Sequence, residues 1–184
     1  MGRESLERPS HDPVVIAMGS NLAAERHLPM ALDRLRAACE VVAVSSVYRT
    51  PPIGSPGAPS FLNLAVRIGT RLSPLALKLE LLRPIEEGMG RVRTANPNAP
   101  RTIDLDITLF GDLVIEDLEH GLVLPDPEIL TRAHVVLPLA DLVPGFLHPL
   151  AGRTIAEIAS VFAAAPGVRI VDGLDLGEGS GAGG

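Results

Sequence analysis

The chain has 184 residues, a net charge of −6 at pH 7 and one cysteine, Cys39. This length favours a single domain, and the negative charge argues against a nucleic-acid partner. No apolar run reaches the roughly 20 residues of a membrane span, and a lone cysteine excludes an internal disulfide. We therefore expect a cytoplasmic protein without a membrane partner. We also expect it to be a monomer.

The hydrophobic periodicity predicts strands and helices in a definite order. They are a strand over 14–18, a helix over 28–38, strands over 41–48 and 61–69, a helix over 73–88 and a strand over 101–110. This order is typical of a ferredoxin-like βαββαβ core of the α+β class, an antiparallel sheet with helices on one side. An apolar stretch over 135–142 and a helix with a capping box at Thr154 should complete a three-layer α/β/α arrangement. We expect one domain over 13–172 between segments predicted to be disordered, 1–12 and 173–184.

The second predicted helix carries an internal proline and the only lysine of the chain. Its predicted core face is formed by apolar residues spaced by three or four, Leu75, Leu79, Leu82 and Ile85. Pro84 is expected to kink this helix, because it lacks a backbone donor and crowds the preceding turn. Lys78 lies in the same helix and lacks the Gly-Lys-Ser/Thr pattern of a P-loop. Any phosphate chemistry is therefore expected to use other cations.

Asp104 and Asp106 stand two residues apart on the last predicted strand of the core. Side chains two apart on a strand point the same way, so the two carboxylates should lie side by side while Leu105 enters the core. Paired carboxylates suit Mg²⁺, particularly when substrate phosphates complete its coordination. Two such ions can stabilise both sides of a phosphoryl displacement. The plainer interpretation is a solvated strand face with two ordinary acids.

Three arginines flank the aspartates in sequence. Arg91 and Arg93 share the period of two, and a polar loop over 94–100 separates them from Arg101. Guanidinium groups bind phosphate oxygens through paired hydrogen bonds and stay charged at working pH. Together with the acids they indicate a triphosphate site that closes on its substrate. The alternative is a set of surface arginines that solubilise a loop.

Phe61 and Asn63 share one face of the strand over 61–69, next to a proline-rich loop over 50–59. An aromatic ring and an amide suit a flat heteroaromatic ligand, which the ring can stack on and the amide can pair with. The alternative is an aromatic side chain half-buried beneath a loop. Gly19, Ser20 and Asn21 are interpreted as a tight structural turn, with a phosphate-binding turn as the second possibility.

Several segments together resemble one enzyme family. They are Ala17-Met-Gly-Ser-Asn-Leu22, Ser45-Ser-Val-Tyr-Arg-Thr-Pro-Pro52, Phe61-Leu-Asn63, Ile85-Glu86, Gly90-Arg-Val-Arg93, Pro100-Arg-Thr-Ile-Asp-Leu-Asp-Ile107, Arg132, Leu137-Pro-Leu139 and His148-Pro149. Over residues 14–160 the chain resembles the 6-hydroxymethyl-7,8-dihydropterin pyrophosphokinases of folate biosynthesis. The resemblance implies an ATP-dependent diphosphotransferase that moves the β,γ-diphosphate of ATP to the pterin hydroxymethyl group, releases AMP and uses two Mg²⁺ ions.

The resemblance also implies a role for each matching residue. It implies that Asp104 and Asp106 bind the metal ions and that Arg91 and Arg101 stabilise the transferred diphosphate, while Arg93 and Arg132 bind the triphosphate. It implies a pterin pocket lined by Thr50, Pro51, Ile53, Phe61 and Asn63. It also implies that Glu86 and Ile107 contact the nucleoside. Asn98 and His134 stand where the family has aromatic residues, and Asp126 where it has histidine. A difference in segment length leaves phosphate ligands within 116–121 unassigned.

Two other functions are compatible with these residues. One is a diverged, non-catalytic relative that binds nucleotide or pterin as a sensor, which the retained aspartates and arginines argue against. The other is a metal-dependent phosphohydrolase, which would need a His or Glu near the acids to activate water, and none lies close in sequence. We therefore expect an active diphosphotransferase with a loosened pterin site.

Overall fold

The computed structural model describes residues 12–52, 57–92 and 99–177. Its strands are β1 (Val14–Ser20), β2 (Glu40–Val44), β3 (Val47–Thr50), β4 (Phe61–Gly69), β5 (Asp104–Phe110), β6 (Ile115–Asp117), β7 (Leu122–Leu124) and β8 (Arg169–Val171). Its helices are α1 (Ala24–Ala38), α2 (Pro74–Ala76), a π-helix (Leu77–Leu82), α3 (Arg83–Gly88), a 3-10 helix (Pro127–Leu130), α4 (Ala133–Leu142) and α5 (Ile155–Ser160).

The main sheet has six strands in the order β5-β1-β4-β3-β8, with β2 also paired to β4. Every pairing in it is antiparallel, as the strand order in the sequence predicts. The strand predicted over 41–48 is instead two strands, β2 and β3. Ser45 separates them. Its Oγ accepts a hydrogen bond from the Ala65 N–H at 2.8 Å, whereas in a regular ladder that N–H would donate to a backbone carbonyl.

Two apolar cores lie on opposite faces of this sheet. On one face, side chains such as Ile16 and Leu64 pack with Leu32 of α1. On the other face, Val15 and Leu109 pack against α4 and α5. Successive residues 15 and 16 enter different cores because strand side chains alternate between faces. The helices therefore cover both faces, and the expected three-layer arrangement is present.

The helix that follows β4 contains a π turn just before Pro84, the residue expected to kink it. A six-residue π-helix precedes Pro84, and the Arg83 N–H donates to the Lys78 carbonyl five residues earlier. Leu77 and Leu82, also five residues apart, are the buried side chains of this segment. Of the predicted core face, Leu82 and Ile85 are buried and Leu75 is partly buried against the core. The buried Leu77 was missed, since a π turn shifts the register that a 3.6-residue period assumes.

The ends of the predicted domain lie close to the described limits. Residues 1–11 and 178–184, predicted to be disordered, lie outside the described residues. Residues 173–177 contact α1, where Arg36 Nη1 donates to the Leu176 carbonyl at 2.7 Å. The contacts of the domain thus extend beyond residue 172. In the described part of the chain, no helix combines the length and apolarity that a membrane crossing requires.

Candidate active site

A cavity of about 500 Å³ opens where β1, β4 and β5 lie side by side. It collects most of the residues singled out from the sequence, namely Thr50, Pro51, Phe61, Asn63, Arg101, Asp104, Asp106 and Arg132. The sheet register explains this grouping, because Gly19 of β1 pairs with Asn63 on one side and with Asp104 on the other. Two strand spacings of roughly 4.8 Å each separate Asn63 from Asp104, so both can contact one pair of small ligands.

The two aspartates have different surroundings. Both oxygens of Asp104 accept from arginines, Oδ1 from Arg91 Nη2 at 3.2 Å and Oδ2 from Arg101 Nη1. Asp106 opens onto the cavity. Desolvation of Asp106 by the surrounding protein raises its pKa above the ordinary value, and the neighbouring Asp104 carboxylate raises it further. The opening to solvent limits this rise, and a bound cation would oppose it.

The aspartate pair fits a hard divalent cation. Carboxylate oxygens are the donors that Mg²⁺ prefers, and a bound cation would oppose the rise in the pKa of Asp106 that desolvation and Asp104 cause. Among the described residues, no three His, Cys, Asp or Glu side chains are grouped as metal ligands. The two carboxylates would therefore share the cation with ligands from outside the protein, such as phosphate oxygens.

Arg101 joins the two halves of the cavity. Its guanidinium carbon lies 5.7 Å from the centroid of the Phe61 ring, a cation–π distance, while its Nη1 contacts Asp104. The side chain of Arg91 is 11% exposed, and its buried Nε has no hydrogen-bond acceptor within the described ranges. A buried donor of this kind is costly unless a ligand accepts from it, which is consistent with an anion binding here.

Asn21 holds the backbone of Arg101 in place. Its Oδ1 accepts from the Arg101 N–H at 2.7 Å, and its own N–H and that of Leu22 donate to the Arg101 carbonyl at 3.2 Å. The side-chain Nδ2 of Asn21 also donates to the Pro59 carbonyl at 3.4 Å. The interpretation of 19–21 as a tight turn is wrong for Gly19 and Ser20, which lie in β1. It also misses this role of Asn21, because the partner lies 80 residues away. The Gly-Ser-Asn segment by itself does not show which backbone the asparagine contacts.

The opposite wall of the cavity is formed by β3 and β4. Asn63 is buried, and its Nδ2 donates to Thr50 Oγ1 at 3.0 Å, so the amide orientation is fixed. A Cβ at Gly19 would lie 3.1 Å from Asn63 Oδ1. Glycine at this position therefore leaves room above the strand. The result is a narrow space between the Phe61 ring and an oriented amide, the arrangement expected for a flat ligand.

Two predicted site residues lie beneath the cavity rather than at its wall. Glu86 is 2% exposed, and its Oε1 accepts from the Leu105 N–H at 3.0 Å, between the two aspartates. The Glu86 carbonyl also accepts from the Arg91 N–H at 3.0 Å. Ile107 is buried in the core beside α1 and α3. Glu86 thus supports β5 and Arg91 from behind. Ile53, Arg93 and Asn98 lie outside the described residues.

Charged residues outside the predicted site also line the cavity. They are Lys78, which sequence reasoning set aside, Asp126, which it noted only as a departure from the family, and Glu128, which it missed. Removal from water raises the pKa of Asp126 to about 6, and its Oδ1 accepts from the Glu128 N–H at 2.8 Å. His134 also lines the cavity, with Nε2 3.5 Å from Glu128 Oε2. Acidic and basic side chains thus lie together around one opening.

Comparisons with known proteins agree with this geometry. The family model for 7,8-dihydro-6-hydroxymethylpterin-pyrophosphokinase matches residues 15–144. The 2-amino-4-hydroxy-6-hydroxymethyldihydropteridine pyrophosphokinase of Pseudomonas aeruginosa is 42% identical over 148 residues, which cover 79% of this chain and 88% of that protein. The enzyme of the same name from Bacillus subtilis is 43% identical, with 69% and 75% covered. The resemblance predicted from the motifs is confirmed.

Solved structures share the fold. The wild-type HPPK-DHPS of Plasmodium falciparum superposes with a TM-score of 0.62 at 16% identity, covering 86% of this chain and 42% of that chain. The same protein with pteroate gives a TM-score of 0.63 at 15% identity, covering 82% and 42%. This chain thus spans less than half the length of those proteins, and identity at this level supports the α+β fold alone. The predicted fold class is confirmed.

Proposed function

The chain belongs to the 7,8-dihydro-6-hydroxymethylpterin-pyrophosphokinase family, and we propose that its cavity transfers the diphosphate of ATP to the hydroxymethyl group of a reduced pterin. The product is a pterin diphosphate for folate biosynthesis, and AMP is released. The observation that carries this proposal is the register of Gly19, which brings Asn63 and Asp104 to the same cavity from neighbouring strands. One face of the site suits a flat ring and the other suits a metal-bound polyphosphate.

The pterin is proposed to bind between Phe61 and the loop after β3. The Asn63 amide, fixed by Thr50, faces this space and can pair with ring nitrogen and oxygen atoms. Pro51 and His134 line the same cavity. We also propose that Ile53 lines the pterin pocket, as the resemblance implies. The hydroxymethyl group would then point across Gly19 towards Arg101 and the aspartates.

Asp104 and Asp106 are proposed to bind two magnesium ions together with the phosphates of ATP. When bound, magnesium neutralises the phosphate charge that develops during transfer. Asp104 must first exchange its two arginine partners for metal, which frees the Arg91 and Arg101 guanidinium groups for phosphate oxygens. Arg91 and Arg101 thus pair with Asp104 in the empty site and with phosphate in the loaded site.

Arg91 and Arg101 are proposed to stabilise the diphosphate as the pterin hydroxyl attacks the β-phosphorus and AMP leaves. Both can form paired hydrogen bonds with phosphate oxygens, and both lie in a partly buried site where such bonds are strong. Arg132 lines the cavity and is proposed to bind the triphosphate with Arg93. The nucleoside contact that the resemblance implies for Glu86 and Ile107 stays a proposal, and in the structure both side chains are buried beneath the cavity.

The proposal is tested by the products formed from ATP in the presence of magnesium and 6-hydroxymethyl-7,8-dihydropterin. We expect AMP that depends on the pterin, on magnesium and on Asp106. Release of ADP would indicate a simple phosphotransferase, and pterin-independent hydrolysis would favour a phosphohydrolase. Binding of both ligands without any product would favour the non-catalytic sensor. A cytoplasmic, monomeric state of the protein remains a prediction that ultracentrifugation and cell fractionation can test.

A further inference from the structure

Lys78 is positioned by an unusual turn of helix. It follows Leu77 in the π-helix Leu77–Leu82, and its own carbonyl accepts from the Arg83 N–H. Leu77 and Leu82 enter the core at a spacing of five residues, with 0% and 1% exposure. The widened turn therefore places Lys78 on the side of the helix that lines the cavity. Single π turns within helices often occur at functional sites.

The Lys78 ammonium is held at the wall of the cavity. Its Nζ donates to the carbonyl of Gly121, in the turn between β6 and β7. Gly121 has a φ of +63° and no side chain, and a Cβ there would lie 3.8 Å from Nζ. The backbone of Gly121 thus anchors the ammonium while leaving its other sides open to the cavity.

The Lys78 ammonium can donate to a further acceptor in the cavity. An ammonium has three N–H donors, and the Gly121 carbonyl takes one of them. Asp106 and Asp126 line the same cavity. Burial raises the pKa of both acids, and Lys78 opposes this rise. Arg101 and Arg132 line other parts of the opening, so cations surround the aspartates from more than one element.

We propose that Lys78 is a phosphate-binding residue of this cavity, with Nζ donating to an oxygen of the ATP phosphates while it stays anchored to Gly121. This inference rests on the proposed function, because it assigns a further cation to the same nucleotide. The absence of a P-loop pattern does not argue against it, since the lysine reaches the phosphates from a π-helix rather than from a glycine-rich loop. Anchoring by a carbonyl reduces the side-chain entropy lost when the phosphate binds.

The test compares Lys78→Met with Arg71→Met, which removes one charge from an exposed residue beyond the far end of β4. Calorimetry would measure Kd for magnesium-ATP and for adenosine, which has no phosphate. We expect Lys78→Met to weaken ATP binding about tenfold, equivalent to about 1.4 kcal/mol, and to change adenosine binding less than twofold. Arg71→Met should leave both constants unchanged, and Lys78→Arg should recover part of the ATP affinity.

Lys78 could instead serve only to hold the β6–β7 turn. In that case Lys78→Met would weaken ATP and adenosine binding equally, or would leave both unchanged while lowering Tm, and either result would overturn the proposal. A parent protein that forms AMP while Lys78→Met keeps the parent's ATP affinity contradicts the lysine role alone. A parent that binds no ATP contradicts both this inference and the proposed function.

Discussion

Replacing Asn21 with alanine tests how the fold positions Arg101. The side chain is 3% exposed, and its Oδ1 accepts from the Arg101 N–H at 2.7 Å. Asn21→Ala leaves that donor without its partner, which should cost about 1–3 kcal/mol of unfolding free energy. For a chain of this size, such a loss lowers Tm by about 3–9 °C. The released Arg101 backbone should also slow single-turnover AMP formation by about 10- to 100-fold, because small misplacements of catalytic groups are costly.

Two further variants separate stability from positioning. Asn21→Asp keeps an acceptor for the Arg101 N–H and loses the longer bond to Pro59, so its Tm should lie nearer to the parent. Thr70→Val removes a comparable side-chain acceptor, for the Leu72 N–H at 3.1 Å, at the far end of β4. That variant should lower Tm without slowing turnover. The reasoning is refuted if Asn21→Ala keeps both the Tm and the single-turnover rate of the parent.

The remaining predictions concern the acids, the pterin wall and the cysteine. The pKa of Asp106 is raised in the folded state, so the ionised carboxylate destabilises the fold when the pH lies above that pKa. Asp106→Asn should therefore raise Tm at pH 8 without magnesium, and it should also abolish AMP formation. Asp104→Asn should lower Tm, because Asp104 accepts from two arginines, and a higher Tm in that variant would contradict this. His134→Phe should tighten pterin binding up to about tenfold in a fluorescence titration, since aromatic stacking adds about 0.5–1.5 kcal/mol; unchanged affinity would count against the assigned wall. Burial raises the pKa of Cys39 to about 11, from 9.0, so alkylation of the native thiol at pH 8 should be about 100-fold slower than in urea, and equal rates would disprove its burial.

Local patterns predicted the elements whose partners are near in sequence. The alternation around Asp104 and Asp106 predicted their shared strand face, and the order of strands and helices predicted the sheet. The break at Ser45 could not be seen in this way, because it depends on a hydrogen bond to Ala65 in another strand. The same limit applies to Asn21, whose interpretation as a turn residue hid its contact with Arg101.

Lys78 shows a second limit of sequence patterns. A helical period of 3.6 residues predicted the buried Leu82 and Ile85 but missed Leu77, which the π turn before Pro84 also places in the core. The direction of Lys78 depends on that turn, so its place at the cavity could not be predicted from spacing. The charge balance among Lys78, Asp126 and Glu128 likewise becomes visible only when β7 and the 3-10 helix are placed against the π-helix.

The central claim is that one cavity transfers the two outer phosphates of ATP together. Phosphorus NMR of a reaction containing ATP, magnesium and 6-hydroxymethyl-7,8-dihydropterin tests it directly. We expect the β- and γ-phosphorus signals of ATP to disappear together, as signals of a pterin diphosphate and an equal amount of AMP appear. Transfer or loss of the γ-phosphate alone, with ADP as the product, would contradict the proposed function of this site.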